Sequence, residues 1–190
     1  SGGLAHDIGS GPFGHQGEKI ISDWFRGAGA GFLAPVGSRP IARELQAFEG
    51  NARGFRVLTR LEGWYADGGL QLTATTLAAF QKYPNPVEPG ELGPGEPWAK
   101  YGFLASEGAA HDWVFERCGL KRRDGRCARH PLSYLTEAAD DIAYCVADIE
   151  DAARMGCLSE TEAAEMLASL GAPQKAPEGA RPIAAMRSAA

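Results

Sequence analysis

Between residues 131 and 154 apolar and polar side chains recur with a period near that of an α-helix. Plotted at about 100° per residue, Leu135, Ala138, Ile142, Val146, Ile149 and Ala153 gather on one side, and Glu137, Asp140, Tyr144, Asp148 and Asp151 on the other. The pattern predicts one long amphipathic helix, with Pro131 suited to its first turn and the apolar stripe facing the core. The same period predicts shorter helices over 14–25, 41–61, 73–82, 106–118 and 159–170. In the second of these, Leu45, Phe48, Ala52, Phe55 and Leu58 hold helical spacing, although Gly50 and Gly54 are poor helix formers. Ser159 and the acidic residues after it read as a capped start. Glycine and proline mark loops over 26–40, 84–97 and 171–182, a turn at 67–69 and a basic turn at 121–129. No run alternates with the period of a strand and no segment repeats, so the expected class is all-α.

The length, 190 residues with 44% hydrophobic and 23% charged, fits a globular core. We expect that core to occupy 1–170, with 171–190 a loop and the start of a further helix, and the chain to be part of a longer protein. The net charge of −5 argues against a broadly basic surface for nucleic acid. It is compatible with a small anionic ligand held by a cation. Cys118, Cys127, Cys145 and Cys157 form no Cys-x-x-Cys pair and read as reduced thiols, in keeping with a cytoplasmic location. No apolar run approaches membrane-spanning length, and no signal-peptide pattern opens the chain.

The polar stripe of the long helix is acidic, with no lysine or arginine to offset it. Like charges one turn apart destabilise a helix. A solvated face is the simplest reading, but an acidic stripe that contains Tyr144 also suits a bound cation and a hydroxylated ligand. A second cluster opens the chain: His6-Asp7, then His15 and Glu18 across a Gly/Pro-rich bend. An imidazole with carboxylates suits a hydrolytic divalent metal, Mn²⁺, Mg²⁺, Co²⁺ or Fe²⁺, better than a soft-metal site.

Five blocks carry a family resemblance: AHDIGSGPFGHQGE at 5–18, FEGNARGFRVLTRLE at 48–62, LTATTLAAFQKYP at 72–84, KYGFLASE at 100–107 and RHPLSYLTEAADDIAYCVADIEDA at 129–152. In this order they resemble the HD-domain deoxynucleoside triphosphate triphosphohydrolases, the dGTPase-like group. The resemblance implies an all-helical HD-domain bundle and metal-dependent hydrolysis of a deoxynucleoside triphosphate, dGTP first among them, to deoxynucleoside and tripolyphosphate. It implies His6, Asp7 and Asp140 as metal ligands and His15 with Glu18 as the catalytic pair. Lys82 and Lys100, then Tyr83 and Asn51, would bind the triphosphate, and Tyr144 and Asp148 would face the deoxyribose. A homo-oligomer, by resemblance a hexamer, and a dNTP activator are implied as partners.

Two departures stand out. The family carries a further histidine ligand upstream, whereas five residues precede His6, and Ser10-Gly11 replaces a larger polar residue and proline. The alternatives are a non-catalytic dNTP-binding regulatory or assembly subunit, or an HD phosphohydrolase acting on another nucleotide phosphate ester. Arg129 and His130 are expected to cap the long helix, the basic turn at 121–126 to be solvated, and His111 has no assigned function.

Overall fold

A computed structural model of the chain describes residues 2–63, 67–87 and 100–170. The expected loop over 84–97 is described only as far as 87, and the expectation for 171–190 lies outside the described residues. The described residues are helical, and their contacts divide into two compact units, Ser1–Asp140 and Asp141–Ala190. No helix among them is long and apolar enough to cross a membrane.

In the first unit, α1 (Gly2–Ala5) leads through a tight turn into α2 (Gly14–Arg26). A 3₁₀ stretch, Ala30–Val36, lies within the expected loop, followed by α3 (Pro40–Gln46), α4 (Gly50–Arg56) and a π turn, Val57–Leu61. Next come α5 (Ala74–Phe80), α6 (Gly108–Arg117) and the first part of α7 (Pro131–Arg154). Phe55 and Leu58, Leu77, Ala78 and Phe80, and Val114 and Phe115 bring α4 with its π turn, α5 and α6 together with Cys127 in the main core. The basic turn is closed by a single antiparallel bridge between Lys121 and Cys127.

The helix expected over 41–61 is two helices, broken at 47–49. Polar side chains of α2, spaced one turn apart, take up the backbone groups freed there. Phe48 N–H donates to Ser22 Oγ at 2.9 Å, Gly50 N–H donates to Glu18 Oε1 at 2.9 Å, and Arg26 Nε donates to the Gln46 carbonyl at 2.6 Å. The glycines of α4 serve a close approach. A Cβ at Gly9 would lie 2.1 Å from both Gly50 O and Gly54 N, so the turn after α1 seats directly on the α4 backbone.

The start of α7 differs from its predicted orientation. Leu132, Leu135 and Ala138 are exposed, Ser133 is buried, and Glu137 and Asp140 are partly buried. Beyond the unit boundary Ile142 is also exposed, 67% accessible, while Ile149 is buried. The expectation of an apolar stripe facing the core therefore fails over this stretch. The polar stripe is instead held by His6, just past α1, by Lys82, after α5, and by Arg129, just before α7. His130 caps the helix as expected, its Nδ1 accepting from Leu132 N–H at 3.1 Å.

The second unit holds the rest of α7, a reversal at Gly156 (φ 72°) and α8 (Glu160–Leu170). The Ser159 hydroxyl accepts from Glu162 N–H, and the Glu162 carboxylate accepts from Ser159 N–H, a reciprocal capping box.

His111 is a core residue. Its ring stacks between Phe103 and Phe115, at 3.8 Å and 4.3 Å between centroids, and its Nε2–H donates to the Pro84 carbonyl at 3.0 Å. Burial lowers its pKa from 6.5 to about 4, against the opposing effects of the Pro84 bond and Asp112. The unfolded chain accepts this proton at higher pH than the folded one. Stability from neutral His111 is thus complete above about pH 6.5 and erodes as pH falls toward 4, by about 3 kcal/mol in all. Urea unfolding at pH 7 and pH 4.5 should show this loss in the native protein. In His111→Gln the difference between the two pH values should shrink by about 2 kcal/mol; an unchanged difference would assign the acid sensitivity to other groups.

Candidate active site

Three groups of side chains in the first unit gather most of the residues singled out in the sequence. The first joins the two ends of that unit. His6, just past α1, places Nε2 3.2 Å from Asp7 Oδ2 and 3.1 Å from Asp140 Oδ1 on α7. Its other ring nitrogen, Nδ1, lies 2.6 Å from the Gly3 carbonyl. A carbonyl only accepts, so Nδ1 carries a proton. Nε2 faces two carboxylate oxygens, an approach made favourable by a second proton on the ring or by a cation among the three groups.

Adjacent ligands bound at about 2.1 Å around an octahedral divalent cation lie about 3 Å apart. The two measured separations match that edge, and one imidazole with two carboxylates is a donor set such a cation accepts. The donor types therefore suit the expected metal. Among the described residues, however, no group of three or more His, Cys, Asp and Glu side chains is placed so that it could hold a metal ion. The trio is linked through His6 alone. Ser10 Oγ donates to Asp7 Oδ1 at 3.0 Å and fixes that carboxylate.

The second group lies across the same turn, with Glu18 and Glu49 buried and Lys100 and Asn51 partly so. Glu18 on α2 accepts from Gly50 N–H through Oε1, and its Oε2 is 3.5 Å from Lys100 Nζ. Glu49 Oε2 is 2.8 Å from the same ammonium, while its Oε1 accepts from Asn51 N–H and Asn51 Nδ2, capping α4. Glu18, expected in the catalytic pair, and Lys100 and Asn51, expected on the triphosphate, thus form one network with Glu49. Neither Oε2 atom has a well-aligned hydrogen bond. Burial, then Glu44, Glu49 and Glu18, push the neighbouring Tyr101 phenol far above its ordinary range.

The expected pairing of Glu18 with His15 does not occur. Glu18 is 4% accessible and turned toward the α3–α4 break, because the backbone donor there needs an acceptor. His15 is exposed in the first turn of α2.

The third group lies one turn of α7 before Asp140. Glu137 accepts from Lys82 Nζ at 2.7 Å through Oε1 and from Arg129 Nη2 at 2.6 Å through Oε2. The two cations hold its carboxyl below the usual range. Lys82 also lies over the Tyr83 ring, 5.9 Å from its centroid. Tyr144 and Asp148 belong to the second unit, on α7, and both are exposed. Sequence reasoning gave no role to Glu49 or Glu137. Glu49 was signalled by its place just before the Gly50-Asn51 helix start, and Glu137 by its position on the acidic stripe.

No family model matches the chain. Two proteins named deoxyguanosinetriphosphate triphosphohydrolase-like protein resemble it. One, from Pseudomonas aeruginosa, is 44% identical over 169 residues, covering 88% of this chain and 38% of the relative. The other, from Synechocystis sp., is 41% identical over 180 residues, covering 88% and 40%. A probable deoxyguanosinetriphosphate triphosphohydrolase of Pseudomonas aeruginosa is 35% identical over 198 residues, covering 94% and 36%. The chain spans about two fifths of the length of these relatives.

Proposed function

We propose, for a chain that belongs to the deoxyguanosinetriphosphate triphosphohydrolase-like family, that it carries the metal-binding part of an enzyme that hydrolyses deoxynucleoside triphosphates, dGTP first among them. The observation that supports this reading is the convergence of His6 Nε2 with Asp7 and Asp140, one imidazole and two carboxylates of the kind a hydrolytic divalent cation accepts. His6, Asp7 and Asp140 would hold Mn²⁺, Mg²⁺ or Co²⁺, with Fe²⁺ also suited. Such an ion supplies Lewis-acid polarisation of a phosphate ester.

The other roles fall to the chain's own groups. Water adds to the α-phosphorus and the bond from that phosphorus to the 5′-oxygen breaks. The departing 5′-oxygen takes a proton, and tripolyphosphate and deoxynucleoside leave. His15, exposed and without a partner among the described residues, is the proton carrier in this scheme. Glu18 acts on position rather than on the proton, since it ties α2 to the α3–α4 break against which the Asp7–Ser10 turn rests. Lys82 supplies positive charge beside the phosphate chain. Tyr144 and Asp148 remain the proposed sugar contacts, and a hexamer and a dNTP activator the proposed partners.

The test is product analysis. The protein incubated with dGTP and Mn²⁺ should release deoxyguanosine and intact tripolyphosphate in equal amounts. Release of pyrophosphate or single phosphate in its place would reject the reaction. Tight dGTP binding with no turnover would support a regulatory subunit instead.

A further inference from the structure

We propose that Arg129, with Lys82, forms a preset seat for the far end of a polyphosphate chain, so that the anion lies along α7 from Asp140 toward the helix start. The proposal takes the identity of the anion from the triphosphohydrolase reading above.

Arg129 is held from three sides. Its guanidinium lies 4.0 Å from the Tyr134 ring centroid, its Nε donates to Ser133 Oγ at 3.3 Å, and Nη2 donates to Glu137 at 2.6 Å. These contacts tie Arg129 to the start of α7, but the macrodipole does not account for a cation there, since a cation at a helix N-terminus opposes it. A guanidinium has five N–H donors. Two are used, and among the described residues Nη1 has no hydrogen-bond partner. The side chain is 23% accessible.

Glu137 brings Lys82 and Arg129 to its two oxygens. A planar fork beside an ammonium suits a phosphate group, which a guanidinium binds bidentately. Three residues of helix, about 4.5 Å of rise, separate Glu137 from Asp140. One polyphosphate can therefore reach both groups. Glu137 acts as a positioning residue that keeps the two cations together in the absence of the anion.

The experiment measures inorganic tripolyphosphate binding by calorimetry, without metal, alongside orthophosphate. The native protein should bind tripolyphosphate and prefer it. Arg129→Gln should weaken tripolyphosphate binding about tenfold to a hundredfold and leave orthophosphate nearly unchanged. Arg129→Lys, which keeps the charge and loses the fork, should fall between, with circular dichroism showing that both variants fold. In turnover assays Arg129→Gln should raise KM more than it lowers kcat. Unchanged tripolyphosphate binding in Arg129→Gln, or none in the native protein, would overturn the proposal. Binding that depends on Arg129 in a protein that does not hydrolyse dGTP would uphold the seat while rejecting the proposed reaction. Hydrolysis indifferent to Arg129 would do the reverse.

Discussion

Asp140→Ala should abolish dGTP hydrolysis and metal retention while leaving the fold intact. Asp140 Oδ1 is 3.1 Å from His6 Nε2 and is the one contribution of α7 to the proposed metal set. Its removal leaves His6 and Asp7, adjacent in sequence, which cannot define a site without a third direction. Lewis-acid assistance is worth several kcal/mol, so a loss of about 10³-fold in turnover follows from the tenfold change per 1.36 kcal/mol. The structural cost is small, because Asp140 is partly exposed and caps no backbone group. Metal content after dialysis and the thermal midpoint separate the two effects. A variant that kept full metal and activity would remove Asp140 from the ligand set.

The helices of this protein were legible because a buried face imposes a 3.6-residue period, and 14–25, 131–154 and 159–170 were placed nearly as they occur. Two features were not. Residues 41–61 keep an unbroken helical period, yet the chain breaks at 47–49. The break depends on acceptors and donors supplied by Glu18, Ser22 and Arg26, at least twenty residues away, and no local pattern carries that information. The early part of α7 keeps a clear amphipathic pattern but turns its acidic side inward, because that side finds His6, Lys82 and Arg129. Hydrophobic period reports that a helix has two faces. Which face is buried follows from what the partners offer, and here the partners are charged. In the site, His6, Asp7 and Asp140 were named from the sequence and are brought together. The conversion of Lys100 and Asn51 into members of one network depended on Glu49, whose only signal was its place just before the Gly50-Asn51 helix start, and that start lay hidden inside an unbroken helical period.

That network sets the second large expectation. Lys100→Met should destabilise the protein by about 3–5 kcal/mol, the usual cost of removing one partner from a buried charge group. For a chain of this length the thermal midpoint should fall by about 10 °C. Glu18 and Glu49 are buried, and the Lys100 ammonium is the cation that lies 3.5 Å and 2.8 Å from their Oε2 atoms. Without it two carboxylates remain in a poorly solvated space. Their repulsion acts on the two groups that shape the site from behind, since Glu49 caps α4 and Glu18 holds Gly50, against which the Gly9-Ser10 turn rests. Activity should therefore fall with stability although Lys100 itself need not touch substrate. Adding Glu49→Gln to Lys100→Met should restore about half of the loss, because a neutral amide oxygen can still accept from Asn51 while one of the two charges is gone. If instead Lys100→Met unfolded within about 1 kcal/mol of the native protein but bound tripolyphosphate far more weakly, Lys100 would be a substrate cation and the carboxylates would have another means of balance. Urea unfolding of the single and double variants, read beside tripolyphosphate titration, distinguishes a lysine that supports the site from one that binds within it.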